Sequence, residues 1–172
     1  MGNQLQKLGY DTRAYHNHTY TYYMRDKTHP NMGYTYKGIG NGLDIPYTWP
    51  ESDVEMMKFS LPEYLGKAPF HAYYMTVSGH LQYERDENDM ADKHWPKVEK
   101  LDLSEESKAY LACQIELDEA LEYLLSELEA AGELNNTVIC LYGDHYPYGL
   151  TERAIEELDG NESVQGTADL YR

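Results

Sequence analysis

Residues 104–145 read SEESKAYLACQIELDEALEYLLSELEAAGELNNTVICLYGDH. Tyr110, Cys113, Leu117, Leu121, Leu124, Leu128 and Ala131 recur at three- and four-residue spacing, which predicts one apolar face of a long helix over 104–131. Ser104 suits its N-cap and Gly132 its stop. Cys113, on that stripe, reads as a small packed residue rather than a reactive thiol. Glu105, Glu106, Glu116, Glu119, Glu122, Glu127 and Glu129 read as the solvated face. Asn135-Asn136 turns the chain, and TVICLY, residues 137–142, predicts a buried strand. PFHAYYMTV, residues 69–77, predicts another, with His71 packed inside it. Strand, loop, long helix and strand make a crossover unit, so the two strands are expected to be parallel and the fold α/β.

Upstream, residues 3–8 read as the end of a helix stopped by Gly9, and 11–15 as a short strand. A polar, Tyr-rich stretch over 15–36 reads as loop with one helical turn, and 38–50 as loop. Ser52 with Glu55 three residues later has the form of a capping box. That helix would bury Met56, Met57, Leu61 and Leu65, and Pro62 is expected to break or restart it. After residue 77 a polar loop of about two dozen residues is expected, including His94 on its surface; His29 is likewise placed on a loop surface. The chain opens in mid-helix and stops at 167–172 without a terminating signal, so 1–172 reads as a single partial domain truncated at both ends.

The formal charge is −16, from 14 basic and 30 acidic residues. It is uneven: Lys7, Arg13, Arg25, Lys27 and Lys37 against Asp11 and Asp26 make the first 40 residues +3, leaving −19 beyond. So acidic a chain excludes general nucleic-acid binding, and the basic start is where an anionic ligand is expected. An apolar fraction of 41% excludes disorder. The 18 Tyr against 2 Phe and 2 Trp suit either a polar, hydroxyl-rich cleft or half-buried packing. Cys113 and Cys140 give no disulfide framework, and both are expected to be buried. No run is apolar enough to span a membrane and no signal peptide opens the chain, so the piece reads as soluble.

In open parallel sheets, ligands bind beyond the carboxyl ends of the strands. Each of three predicted strands ends in a histidine: His16, His80 and His145. They are expected to converge on one cleft. Asp144 and His145 offer a hard oxygen and an imidazole nitrogen, which suits Mn²⁺ or Zn²⁺; alternatively, Asp144 caps a turn and His145 is exposed. His16 and His18, two apart, share a face if the strand continues through them, either as a metal pair or with one imidazole on the ligand and the other solvated. Arg25 could fork onto a phosphate or pair with Asp26 at the surface. There is no Gly-x-Ser-x-Gly elbow, no Gly-rich phosphate loop and no Cys-x-Pro-x-Arg signature.

LGYDTRAYHNHTYTYYMRD (8–26), PFHAYYMTVSGH (69–80) and NTVICLYGDHYPYGL (136–150) resemble, in order and spacing, the extracellular domain of the lipoteichoic acid synthase and phosphoglycerol transferase family, within the sulfatase and alkaline-phosphatase superfamily. The resemblance implies part of a three-layer sandwich, a mostly parallel sheet flanked by helices. It implies Mn²⁺, or another divalent cation, on Asp144 and His145. It implies a phosphoglycerol pocket lined by His16, Tyr23, Arg25 and His80. Donor lipid head group and polymer acceptor would be the partners of a membrane-anchored, extracellular parent. Two departures touch the pocket: Tyr23 stands where the family usually has Trp, and Gly79-His80-Leu81-Gln82 replaces Asn-His-aromatic-Pro. Thr19, Thr21, Thr28 and Thr35 do not match the family's threonine nucleophile, which is expected upstream with a glutamate metal ligand, so the piece alone is expected to be inactive. A sulfatase or phosphodiesterase of the same superfamily, or a non-catalytic polyol-phosphate or glycan-binding module, are the alternatives.

Overall fold

The computed structural model describes residues 1–67 and 69–159; the expectation for 167–172 lies outside them. Four parallel strands form one sheet: β1 (Asp11–Thr19), β2 (Thr35–Ile39), β3 (Gly42–Leu43) and β4 (Phe70–Met75), in the order β3-β2-β1-β4. The helices are α1 (Gly2–Gln6), α2 (Arg25–Asn31), α3 (Asp53–Tyr64), α4 (Asp89–Val98), α5 (Glu105–Ala130) and α6 (Glu152–Asp159). The α/β expectation holds, with helices on both faces of the sheet.

Alternation along the strands sorts the layers. Tyr15 buries on one face with Met56, Met57, Leu61 and Tyr64 of α3 and Ala120 of α5. Ala14 and Tyr36 bury on the other, where the His29 ring of α2 stacks on Tyr36 and Tyr73. His29 is therefore buried, not on a loop surface. Tyr36, assigned to loop, lies in β2: one strand of five residues in a tyrosine-rich stretch shows too little contrast for alternation to register.

The Ser52 hydroxyl accepts from the Glu55 N–H and caps α3 as expected. Pro62 does not break the helix, which runs two residues further to Tyr64. In α5, Ser104 caps the start and Gly132 ends it with φ +74°. Its buried face differs from the Leu stripe: Ala109, Ala112, Cys113, Glu116 and Ala120 face α3 and α4, while Leu117, Leu121 and Leu124 are half-buried. Small side chains there let three helices approach closely. The expected loop after residue 77 contains α4, which packs Met90, Ala91, Trp95 and Val98 against α5.

Residues 137–142 do not form the return strand. They pair with no strand among the described residues, Val138 is 88% exposed and Cys140 is exposed too. Tyr142 lies near Tyr73 of β4 and helps push that phenol's pKa up. An apolar β-branched run expresses a preference for burial but does not name the edge or register it must join. The crossover thus closes on its helix and not on its second strand.

Candidate active site

The site begins with an irregularity in β1. Its pairing with β2 runs in step to His16↔Gly38 and resumes only at Thr19↔Ile39. Two extra residues, Asn17 and His18, fall in this bulge, and a bulge re-aims side chains. Asn17 turns inward, where its amide donates to Asp53 Oδ1 at 2.6 Å. His18 is aimed at Glu51, Nδ1 to Oε1 2.7 Å. The strand thus continues through both histidines, and their rings meet edge to face at 6.1 Å.

His16 Nδ1–H donates to the Met75 carbonyl at 2.8 Å, which leaves Nε2 to accept from Arg25 at 3.3 Å. Burial above all, then the Arg25 cation, pushes the His16 pKa down to about 4, so the ring is neutral at pH 7. The Arg25 guanidinium sits over the Tyr22 and Tyr23 rings at 5.6 and 5.3 Å, while Asp26 pairs with Lys27 instead. The surface-pair alternative for Arg25 is not realised. Tyr23 is exposed and has φ +50° at the turn that presents this arginine.

His80 follows β4, and its loop is built by buried polar groups. The Asp53 carboxylate accepts from the backbone N–H of Val77 and Ser78, from the Ser78 hydroxyl and from Asn17. Asn88, which caps α4, donates to the carbonyls of His80 and Gln82. His80 then meets Trp49 at 5.1 Å, and Trp49 meets His18 at 5.4 Å. His16, Arg25, His18 and His80 therefore form one connected group at the carboxyl end of the sheet.

Asp144 and His145 stand at its margin. Asp144 is 83% and His145 51% exposed in their side chains, and neither shares a hydrogen bond, ion pair or ring contact with His16 or His80 among the described residues. The route between them runs through Tyr148: His145 packs on its ring at 5.0 Å, and Tyr148 lies near enough to Tyr22 to help raise its phenol pKa, behind burial and Tyr23. Gly149 closes the same loop onto the His80 loop, since a Cβ there would lie 2.8 Å from the Leu81 Cβ. Only glycine allows that approach. Asp144 Oδ1 and His145 Nε2 are 3.7 Å apart, a separation that one cation bound at about 2.0–2.2 Å to each would span. His145 Nδ1–H donates to the Tyr146 carbonyl at 2.8 Å, which directs the Nε2 lone pair outward. The pair fits a divalent ion as two of its ligands.

Two features escaped the sequence. Glu116, placed on a solvated face, is 0% exposed and receives hydrogen bonds from Ser52, the Val54 N–H, Lys93 and His94. Burial alone would raise its pKa, but Lys93, Ser52 and His94 outweigh that and hold it below the usual range. His94, likewise expected at the surface, is buried against it at 2.5 Å. His94, Glu116 and Glu119 lie close enough to share a cation, but Lys93 and Lys97 already sit on the two carboxylates. The group is an internal ion-pair network joining α3, α4 and α5. The second missed feature is Glu51, 0% exposed behind His18.

The fold is thus a parallel α/β sheet with His16, His80 and Arg25 brought together at its carboxyl edge. A family model described as Sulfatase matches residues 1–168, and the chain belongs to that family. It is 31% identical to lipoteichoic acid synthase 1 of Bacillus subtilis (strain 168) over 165 residues, 91% of this chain and 25% of that protein. It is 28% identical to the lipoteichoic acid synthase of Staphylococcus aureus (strain USA300), over 91% of this chain and 24% of that one. The chain spans about a quarter of the length of these curated relatives. The crystal structure of the lipoteichoic acid synthase LtaP from Listeria monocytogenes superposes with a TM-score of 0.73 at 20% identity, over 99% of this chain and 43% of that one, and shows the shared fold. The resemblance drawn from the sequence motifs is met by these relatives. No helix among the described residues is long and apolar enough to cross a membrane.

Proposed function

We propose that this chain forms the substrate-holding part of a metal-dependent phosphoglycerol transferase, which moves phosphoglycerol from a lipid-linked donor to a polymer acceptor outside the cell membrane. The observation that carries this reading is the Arg25–His16 contact at 3.3 Å, with Tyr22 stacked on His16 and the His18–Trp49–His80 chain beside it. Arg25 supplies a planar cation for the phosphoryl oxygens. Neutral His16, locked by Met75, turns Nε2 towards Arg25, and His80, whose Nδ1 faces the Leu81 carbonyl, would offer Nε2 to the phosphoryl group. The tyrosine and tryptophan rings suit the carbon face of a glycerol and their polar edges its hydroxyls. Asp144 and His145 would hold the divalent ion; when bound, it supplies Lewis acidity to the phosphoryl group. The nucleophile is assigned to a threonine outside these residues, so the isolated chain is proposed to be inactive.

The test uses vesicles of phosphatidylglycerol with Mn²⁺ and the whole protein that contains this chain. Diacylglycerol release together with glycerol-phosphate oligomers supports the reading. Hydrolysis of sulfate esters or of simple phosphodiesters with water as the sole acceptor overturns it in favour of a hydrolase. Electron paramagnetic resonance of added Mn²⁺ provides a separate readout, and Asp144→Ala should lower its affinity at least about tenfold.

A further inference from the structure

Glu51, Asp53 and Glu116 are fully buried carboxylates, and among the described residues Glu51 is the one of the three with an oxygen left without a hydrogen-bond partner. It is 0% exposed, its Oε1 lies 2.7 Å from His18 Nδ1, and its Oε2 has no hydrogen-bond partner among the described residues. A buried carboxylate costs several kcal/mol unless it is paired. Burial raises its pKa, and the hydrogen bond to His18 is what pulls it back. The imidazole is fixed on its other sides as well: Tyr47 stacks at 6.1 Å, while Tyr22 and Trp49 meet its edge at 5.1 and 5.4 Å. His18 Nε2 hydrogen-bonds no described residue, and the side chain is largely buried. An imidazole oriented by a carboxylate on one nitrogen and open on the other is the arrangement used for proton transfer.

We propose that His18 is the proton-transferring group of this site and Glu51 its positioning residue, an assignment that rests on the phosphoglycerol-transfer reading. As the alkoxide of the assigned threonine bonds to phosphorus, the donor P–O bond breaks; its electron pair stays with the departing alcohol oxygen, which takes the proton from His18 Nε2. The acceptor hydroxyl oxygen then forms the new P–O bond as the threonine–phosphorus bond breaks and returns its electron pair to the threonine oxygen, and the acceptor's proton goes to Nε2. One proton passes from acceptor to departing alcohol, and the ring ends as it began. Glu51 accepts from Nδ1–H throughout, which holds the ring and balances the imidazolium while it exists. His16 does not fill this role, because Nδ1 is bound to a neutral carbonyl and Arg25 faces its Nε2.

The experiment compares two donors in the whole protein with Mn²⁺. Phosphatidylglycerol departs as an alkoxide that needs a proton, whereas the p-nitrophenyl ester of glycerol phosphate departs as a stable phenolate that does not. His18→Gln is expected to lower phosphatidylglycerol turnover by about 10²–10³-fold. In the first turnover, before the acceptor is needed, p-nitrophenolate release from the p-nitrophenyl donor by the same variant should stay within about threefold of wild type. Glu51→Gln should lower kcat for the lipid donor with KM unchanged and also spare the p-nitrophenyl donor. The p-nitrophenyl rate also reports that each variant is folded. Equal losses on both donors, or no loss on either, overturn the assignment. A wild-type protein that transfers from neither donor overturns the phosphoglycerol reading itself, which is a distinct result.

Discussion

Trp49 lies edge-on to His80 with 5.1 Å between ring centroids, although the loop before α3 and the loop after β4 carry them separately. The same indole touches His18, so one side chain couples the bulged end of β1 to the end of β4. Its backbone is held in turn by Asp89, whose carboxylate accepts from the Trp49 N–H and whose own N–H donates to the Trp49 carbonyl. Trp49→Leu should leave this tie intact and remove the ring, a loss of about 1 kcal/mol in packing. The expected outcome is a KM for the lipid donor raised several-fold with kcat little changed. Ring resonances of both His18 and His80 should move in the same variant. If only one moves, the coupling is not real.

Glu116 should behave as a buried ion with several partners. Glu116→Leu leaves Lys93 and His94 without their carboxylate and is expected to cost about 3–5 kcal/mol, measured by urea unfolding. Its pKa is depressed in the fold, so its contribution is present above the ordinary carboxylate range and is lost as pH falls through its folded value. The destabilisation caused by Glu116→Leu should therefore shrink towards low pH. A penalty that is independent of pH would mean the network contributes packing alone.

Asp53 has the opposite sign. Burial is the largest influence on it and, against its hydrogen bonds, pushes its pKa up to about 6 from an ordinary 3.8. The fold thus prefers the protonated acid, and this contribution is present below the unfolded value and is lost as pH rises through about 6. Between pH 7 and 4, wild type should gain about 2–3 kcal/mol relative to Asp53→Asn, whose side chain does not titrate. Parallel unfolding curves at several pH values test it, and a constant difference would refute it.

What the sequence made legible were the features carried by local chemistry. Ser52 and Ser104 cap helices because a hydroxyl satisfies a free N–H at a short, fixed spacing. His16 and His80 could be placed side by side because strand ends in a parallel sheet share an edge, whereas Arg25 was singled out for the fit of its guanidinium to a phosphate. Glu116, His94 and Glu51 were not found, since a charged side chain carries no local mark that a partner from another element will bury it. The signal for α4 was present: Asn88 followed by Met90, Ala91, His94, Trp95 and Val98 has a cap and helical spacing, but the surrounding charges obscured it. Residues 137–142 failed for another reason, because a strand is completed by a neighbour's backbone and not by its own composition.

His16 offers the most direct probe of the anion site, because its titration reports what lies beside it. Burial first, and Arg25 second, lower its pKa from 6.5 to about 4. With a depressed folded value, its stabilising contribution is present above pH 6.5 and is lost as pH falls towards 4. In a nuclear magnetic resonance titration of the chain, the His16 ring should therefore stay neutral until near pH 4–5. Arg25→Gln removes the cation but not the burial, so the midpoint should rise while remaining below 6.5. Glycerol 3-phosphate added to wild type should raise it as well, because an anion on Arg25 offsets the nearby positive charge and can accept a proton-bearing Nε2. The same ligand should leave the Arg25→Gln midpoint nearly unmoved. A wild-type midpoint near 6.5, or equal responses to glycerol 3-phosphate in wild type and Arg25→Gln, would place the anion elsewhere than between Arg25 and His16.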